Sequence, residues 1–389
     1  MKNLNLPVVL LRNAKSVSIL AALCSCCLLA SSAVAHCKLH FHFAYMGIDN
    51  QQEATFQVAV ADFDGDGHAD VAVPFTLSQN LYIYHGHGDG KFDPPVIYLA
   101  GGYVQSIVPG DFNNDGKPDL VEAMPGCCGG TGVHIFLNDG SGGFLPSVSF
   151  SAGADPGQVV AADFNHDGNL DLAVPDWGTG NNLVLLGDGQ GAFGAPISSP
   201  GNGGGYLVAG DFNHDGFPDL ATADTQLKIL LGNGAGGFTV AHTYTFGPGN
   251  PTHLATADFN HDGNPDVAFG AINDSPQVHT YLGDGTGAFV ASVSVGQTDA
   301  QGILAVDVDG DNKIDIVTAD YSHDSISVAR GNGRGNFAAI KSYYLPFNPN
   351  AFPINIATAD FDEDGMPDFV TADYLSGGAT VALGQCRNP

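Results

Sequence analysis

The chain has 389 residues, 41 of them acidic and 12 basic, for a formal net charge of −29 at pH 7. A surface this acidic repels nucleic acid and anionic lipid, which excludes both as principal partners. Disorder is excluded as well, because 44% of the residues are hydrophobic and the acidic ones recur with a regular period.

The first segment is not part of the fold. Lys2, Arg12 and Lys15 make a basic region, Ser16 to Ala30 is apolar with small residues, and Ala33-Val34-Ala35 fits a small-x-small cleavage site. We expect a signal peptide over residues 1–35, a single mature domain over 36–389, and a secreted, periplasmic or cell-surface protein. An uncleaved anchor is the lesser alternative, since the apolar stretch is short for a membrane span. Cys24, Cys26 and Cys27 leave with the signal, so Cys37, Cys127, Cys128 and Cys386 remain. An even number in an exported chain suits disulfides.

The mature chain opens on a lone strand in which Leu39, Phe41, Phe43 and Tyr45 alternate with His40, His42 and Ala44. A unit then begins that recurs seven times. Phe56 to Ala61 leads into the loop Asp62-Phe63-Asp64-Gly65-Asp66-Gly67-His68-Ala69-Asp70, and Val71-Ala72-Val73 leads out of it. Leu81 to Tyr84 is a third strand, Gly86-His87-Gly88-Asp89-Gly90 is a turn, and Phe92 opens a fourth strand. Later units begin their loops at Asp111, Asp163, Asp211, Asp258, Asp307 and Asp360, at intervals of 47 to 53 residues. Phe144, Phe193, Phe238, Phe289 and Phe337 take the place of Phe92.

A period near fifty marks a repeat architecture whose units cannot bury a core alone. Four short strands per unit make one antiparallel sheet. Seven such sheets without capping units favour a closed ring, so the expected fold is an all-β, seven-bladed β-propeller of four-stranded antiparallel blades. The seventh unit supplies only Asp368 to Thr371 and Thr380 to Leu383 after its loop. The lone strand at the start should complete that blade and close the ring, removing the unpaired edges. Cys37 precedes that strand and Cys386 follows its partner, so a Cys37–Cys386 disulfide is expected across the closure. Closing so long a loop could stabilise by about 4–5 kcal/mol. Cys127 and Cys128, neighbours in a Gly-rich loop, are either a vicinal pair or free thiols.

The loops themselves suggest their chemistry. Oxygen donors stand at positions 1, 3, 5 and 9, the carbonyl of position 7 completes the set, and Gly at position 6 lets the backbone reverse. That alternation wraps oxygens around a hard cation at Ca²⁺ distances. The second loop also has Glu122 at position 12, as an EF-hand would, but six loops lack an acid there and strands flank every copy.

The acidic loop with Phe at its second position, the apolar strands and the Gly-x-Gly-x-Gly-x-Phe turn resemble the FG-GAP or VCBS repeats of secreted bacterial proteins. They are also similar to the calcium-bearing blades of integrin alpha-subunit propellers. The resemblance covers residues 39 to 384 and implies up to seven structural Ca²⁺ ions. It assigns Asp62, Asp64, Asp66, His68 and Asp70 to the first site. Asp111, Asn113, Asp115, Lys117 and Asp119 fall to the second, and Asp163, Asn165, Asp167, Asn169 and Asp171 to the third. Asp211, Asn213, Asp215, Phe217 and Asp219 make the fourth; Asp258, Asn260, Asp262, Asn264 and Asp266 the fifth. Asp307, Asp309, Asp311, Lys313 and Asp315 form the sixth, and Asp360, Asp362, Asp364, Met366 and Asp368 the seventh. His68, Lys117, Asn169, Phe217, Asn264, Lys313 and Met366 enter through their carbonyls. Loops with Asp at position 3, the first, sixth and seventh, should bind most tightly. Asn312 replaces Gly in the sixth and tolerates the left-handed backbone required there.

Other constellations are weaker. His166, His214 and His261 sit at loop position 4, where a solvated side chain is expected, and His40 and His42 share one face of the closing strand. Asp176, Asp224, Asp320 and Asp373 recur just after the second strand, with Trp177, Tyr321 and Tyr374 beside three of them. A carboxylate beside an aromatic ring suits a sugar or peptide site on the rim opposite the loops; capping of a strand turn is the structural alternative. No Gly-x-Ser-x-Gly elbow, His-Glu-x-x-His pair or phosphate loop is present. The expectation is a monomeric, non-enzymatic binding module for a protein or adhesion partner. A lectin is the alternative, and a polysaccharide-acting enzyme comes third.

Overall fold

The computed structural model describes residues 38–47, 53–126, 132–201, 205–247, 249–272, 278–296, 299–346 and 351–387. The expected signal peptide, its cleavage site, Cys37, Cys127 and Cys128 lie outside these residues. Among the described residues there are seven four-stranded antiparallel sheets, each a blade. Blade 1 runs Ala59–Ala61, Asp70–Phe75, Asn80–Tyr84 and Val96–Leu99 from the channel outward. The first strands of successive blades lie side by side, and Pro353–Ala359 of blade 7 returns to Ala59–Ala61 of blade 1, so the ring is closed.

Closure follows the expected route. Lys38–Gly47 pairs antiparallel with Gly378–Arg387 along ten residues, from Lys38 opposite Arg387 to Gly47 opposite Gly378. The alternation within this strand holds only in part. Leu39 and Phe41 are buried, but Tyr45 is 38% exposed and Met46 is buried in its stead. The register is unbroken, so it is the buried face that changes: Leu39, Phe41 and Phe43 pack toward blade 6 and Ala44 and Met46 toward blade 1, while the Tyr45 hydroxyl donates to the Ser376 carbonyl at 2.6 Å. Cys386 is disulfide-bonded.

The apolar core is divided among the seams between blades. Val71, Val73 and Phe75 face blade 7, for instance, while Ala72 faces blade 2. The second strands are buried along both faces, which is why they read as apolar runs. At six of the seven seams the Phe of one blade's turn meets the Phe at loop position 2 of the blade before it. Phe63–Phe144, Phe112–Phe193, Phe164–Phe238, Phe212–Phe289, Phe259–Phe337 and Phe361–Phe92 have centroids 5.5 to 5.8 Å apart, in edge-on contact. At the seventh seam Val308 replaces the loop Phe, and Phe41 of the closing strand joins its cluster. The sequence marked where these rings stand but not that they fasten neighbouring blades.

Candidate metal loops and the opposite face

Each acidic loop is shaped by its own carboxylates. The position 1 aspartate accepts the N–H of position 6, as from Gly67 to Asp62 at 2.9 Å and from Gly263 to Asp258 at 2.8 Å. The position 5 aspartate accepts the N–H of position 7, from His68 to Asp66 at 2.8 Å and from Lys117 to Asp115 at 2.9 Å. Position 6 is left-handed throughout, with φ of 94° at Gly67 and 63° at Asn312. These bonds turn the carboxylates inward together. Oxygens of Asp62, Asp64 and Asp66 lie within 4.8 Å of one another, as do those of Asp307, Asp309 and Asp311, and those of Asp360, Asp362 and Asp368. In the fourth loop Asp211 Oδ1 is buried without a hydrogen-bond donor. Convergent carboxylate oxygens in three loops, and a buried, unsatisfied one in a fourth, fit a hard cation.

The position 9 aspartates have a further job that the sequence did not reveal. Asp70, Asp119, Asp171, Asp219, Asp266, Asp315 and Asp368 are all buried. In the first loop Asp70 Oδ2 accepts the Phe63 N–H at 2.7 Å, and Oδ1 accepts the Gly86 N–H at 2.8 Å. The same two bonds recur at the seventh, where Asp368 holds Phe361 and Gly384. Each therefore ties its loop to the end of the third strand. Burial pushes Asp119, Asp171 and Asp219 up to about 6, and Asp266, Asp315 and Asp368 up to about 7.

The position 4 histidines are exposed, as expected, and loop positions 4 and 7 also connect neighbours. Asn114 donates to Asn169 at 2.7 Å, His214 meets Asn264 at 2.8 Å, and His166 lies 4.9 Å from the Phe217 ring. Glu363 of the seventh loop meets His68 of the first at 2.7 Å. The sixth loop holds cations of its own: Arg330 Nη1 is 2.9 Å from Asp309 Oδ2, and Lys313 Nζ donates to Asp311 Oδ2 at 2.6 Å. Glu122 is fully buried on a strand, away from any loop.

On the opposite face three of the four recurring aspartates turn inward, while Asp224 is half-buried. Asp176 accepts the N–H groups of Asp155 at 2.9 Å, Gly178 at 3.1 Å and Ala154 at 3.2 Å, with the Thr179 hydroxyl at 2.8 Å. Asp320 binds His323 at 2.9 Å, and Asp373 accepts the hydroxyls of Thr371 and Thr380 at 2.8 and 2.6 Å. All three are buried, so the turn-holding reading describes them. Their aromatic neighbours stay at the surface. Trp177 is 46% exposed, Tyr321 packs against Phe352 at 4.8 Å, and Tyr374 lies 5.2 Å from Phe56. Phe56 in turn is 5.0 Å from Tyr103, so rings of blades 7, 1 and 2 form one group. Phe56 and Tyr103 had carried no signal, because neither recurs with the repeat.

The profile described as FG-GAP-like repeat matches residues 62–122, 127–174, 220–269, 258–318 and 307–371, more than half of the chain. No curated protein matches in sequence. Solved structures share the fold. One is an Agrocybe aegerita lectin that recognises non-reducing terminal N-acetylglucosamine, with 18% identity over 87% of each chain and a TM-score of 0.58. Another is BBS1N in complex with ARL6DN, at 15% identity over 88% of this chain and 98% of that one, TM-score 0.59. A catalytically inactive virginiamycin B lyase from Staphylococcus aureus has 12% identity over 88% and 99%, TM-score 0.58. Among the described residues no helix is long and apolar enough to cross a membrane.

Proposed function

Given that the chain belongs to the FG-GAP-like repeat family, we propose that it is an exported, calcium-stabilised propeller that binds a protein partner through the face opposite its acidic loops. The observation that carries this reading is the ring group of Phe56, Tyr103 and Tyr374, contributed by three blades, with the 50% exposed Leu375 next to Tyr374 in the chain. Clustered aromatic and aliphatic side chains on a rigid face are what a partner's anchors need. Calcium would be held by the carboxylates at positions 1, 3 and 5, and would supply the positive charge that lets so many acids converge. The first and seventh loops head the ranking; the sixth drops below them, because Arg330 and Lys313 already occupy two of its carboxylates. The disulfide at Cys386 supports an oxidising compartment and therefore export. No residue is assigned a catalytic role.

Glycan binding is the second reading, favoured by the half-exposed Trp177, and the shared fold with a lectin is compatible with it. A glycan array run with calcium and again after chelation separates the two. Binding to a defined sugar class that is lost in Trp177→Ala supports the second. A blank array, with surface-protein capture lost in Tyr374→Ala, supports the first. Capture retained in Tyr374→Ala and Phe56→Ala overturns the assignment of the face.

A further inference from the structure

The residue in or just past the third strand's far half that stands just before the backbone N–H held by the position 9 aspartate is Leu137, Leu186, Leu231, Leu282 and Leu383 in five blades. In blade 6 it is Arg330, which reaches Asp309. In blade 1 it is His85. Its Nδ1 lies 3.6 Å from Asp64 Oδ2 and 3.3 Å from Asp70 Oδ2, and this nitrogen is buried with no hydrogen bond. All three ligand atoms fall within 4.8 Å of one another. Gly142, in the turn of blade 2, roofs the group: a Cβ there would stand 2.6 Å from Asp64 Cβ and 3.2 Å from His85 Cε1.

We propose that Asp64, Asp70 and His85 form a mixed nitrogen and oxygen site for a borderline dication of the Zn²⁺ class, at the inner edge of the first loop. The inference rests on the metal-loop reading only for the positions of the two aspartates. Tetrahedral ligands at Zn²⁺ distances stand about 3.3–3.6 Å apart, which is the separation found from Nδ1 to each carboxylate oxygen. Imidazole suits Zn²⁺, whereas Ca²⁺ takes oxygen only. Asp70 Oδ2 keeps its bond from the Phe63 N–H and offers the ion its second lone pair. Arg330 makes the comparison concrete: at the same place a side-chain cation meets the position 3 aspartate of blade 6, and in blade 1 an imidazole nitrogen faces the position 3 and position 9 aspartates.

The test is a Zn²⁺ titration by calorimetry of the mature protein and of His85→Leu, the residue that five other blades carry. The native protein should bind one ion that the variant binds at least about 10-fold more weakly. Zinc held by exposed His40 and His42 persists in both and marks the background. Equal titrations overturn the proposal. Co²⁺ added to the native chain gives an independent reading: an intense visible band of four-coordinate cobalt supports the site, and a weak six-coordinate spectrum overturns it. Calcium titrations of the same samples keep the two readings apart. A calcium-induced rise in Tm in both proteins without a zinc difference sinks only the zinc site, and a zinc difference without any calcium effect sinks only the calcium reading.

Discussion

Glu122 has neither carboxyl oxygen hydrogen-bonded inside the seam it shares with Leu120 and Met124, and burial pushes its carboxyl up to about 8. The fold therefore favours the neutral acid, while the unfolded chain ionises near the ordinary value. Its contribution to stability is complete below about pH 4.5 and is lost as pH rises through about 8. Glu122→Val, the residue at this position in blades 1 and 3 as Val73 and Val174, should stabilise by about 1–3 kcal/mol near pH 8 and by much less at pH 4.5. Urea melts of both proteins at the two pH values measure it. The carboxylates of the loops are common to both and cancel in the difference. The residue's burial was legible once the repeats were laid over one another, because Val, Thr and Phe hold the equivalent places. Its match to an EF-hand's twelfth position pointed the other way, and strands in place of helices were the deciding signal.

At the scale of the element, the acidic loop is a self-templated turn whose oxygens bind its own N–H groups. Gly263 has φ of 89° with open space around its would-be Cβ, so only the backbone forbids a side chain. Gly263→Ala should cost about 1–2 kcal/mol, and Gly263→Asn less, since Asn312 already holds the left-handed conformation in the sixth loop. The ring pairs at the seams carry more. Phe164 is fully buried and meets Phe238 at 5.5 Å, so Phe164→Ala should cost about 3–5 kcal/mol in the same melts. The loops could be read from sequence because their ligand spacing and glycine are local. The second role of the position 9 aspartates could not, since its partners, such as Gly86 for Asp70, lie sixteen residues away across a sheet.

For the whole molecule, chelation should lower Tm reversibly, and calcium should restore it in a concentration-dependent way, because an ion bound only to the folded ring stabilises it by mass action. A melt that chelation leaves unchanged would remove calcium from the account. A chain lacking residues 36–46 should melt well below the intact protein, as blade 7 then presents Gly378–Arg387 as a bare edge. The ring was legible because a count of strands left one short at the last blade and one spare before the first. What each face offers was less so: Trp177 stood out as the single Trp, whereas Phe56 and Tyr103 meet only through the curvature of the ring. The closing seam also has a mechanical character. Lys38 faces Arg387, so the outer ends of the two closing strands lie side by side. A force drawn between those ends parts the ten pairs one after another, as a zipper opens, instead of shearing them at once. The bonded Cys386 stands one residue from that end, and the pairing with Cys37 expected from the sequence would make it a covalent latch that takes the load before the first backbone pair does.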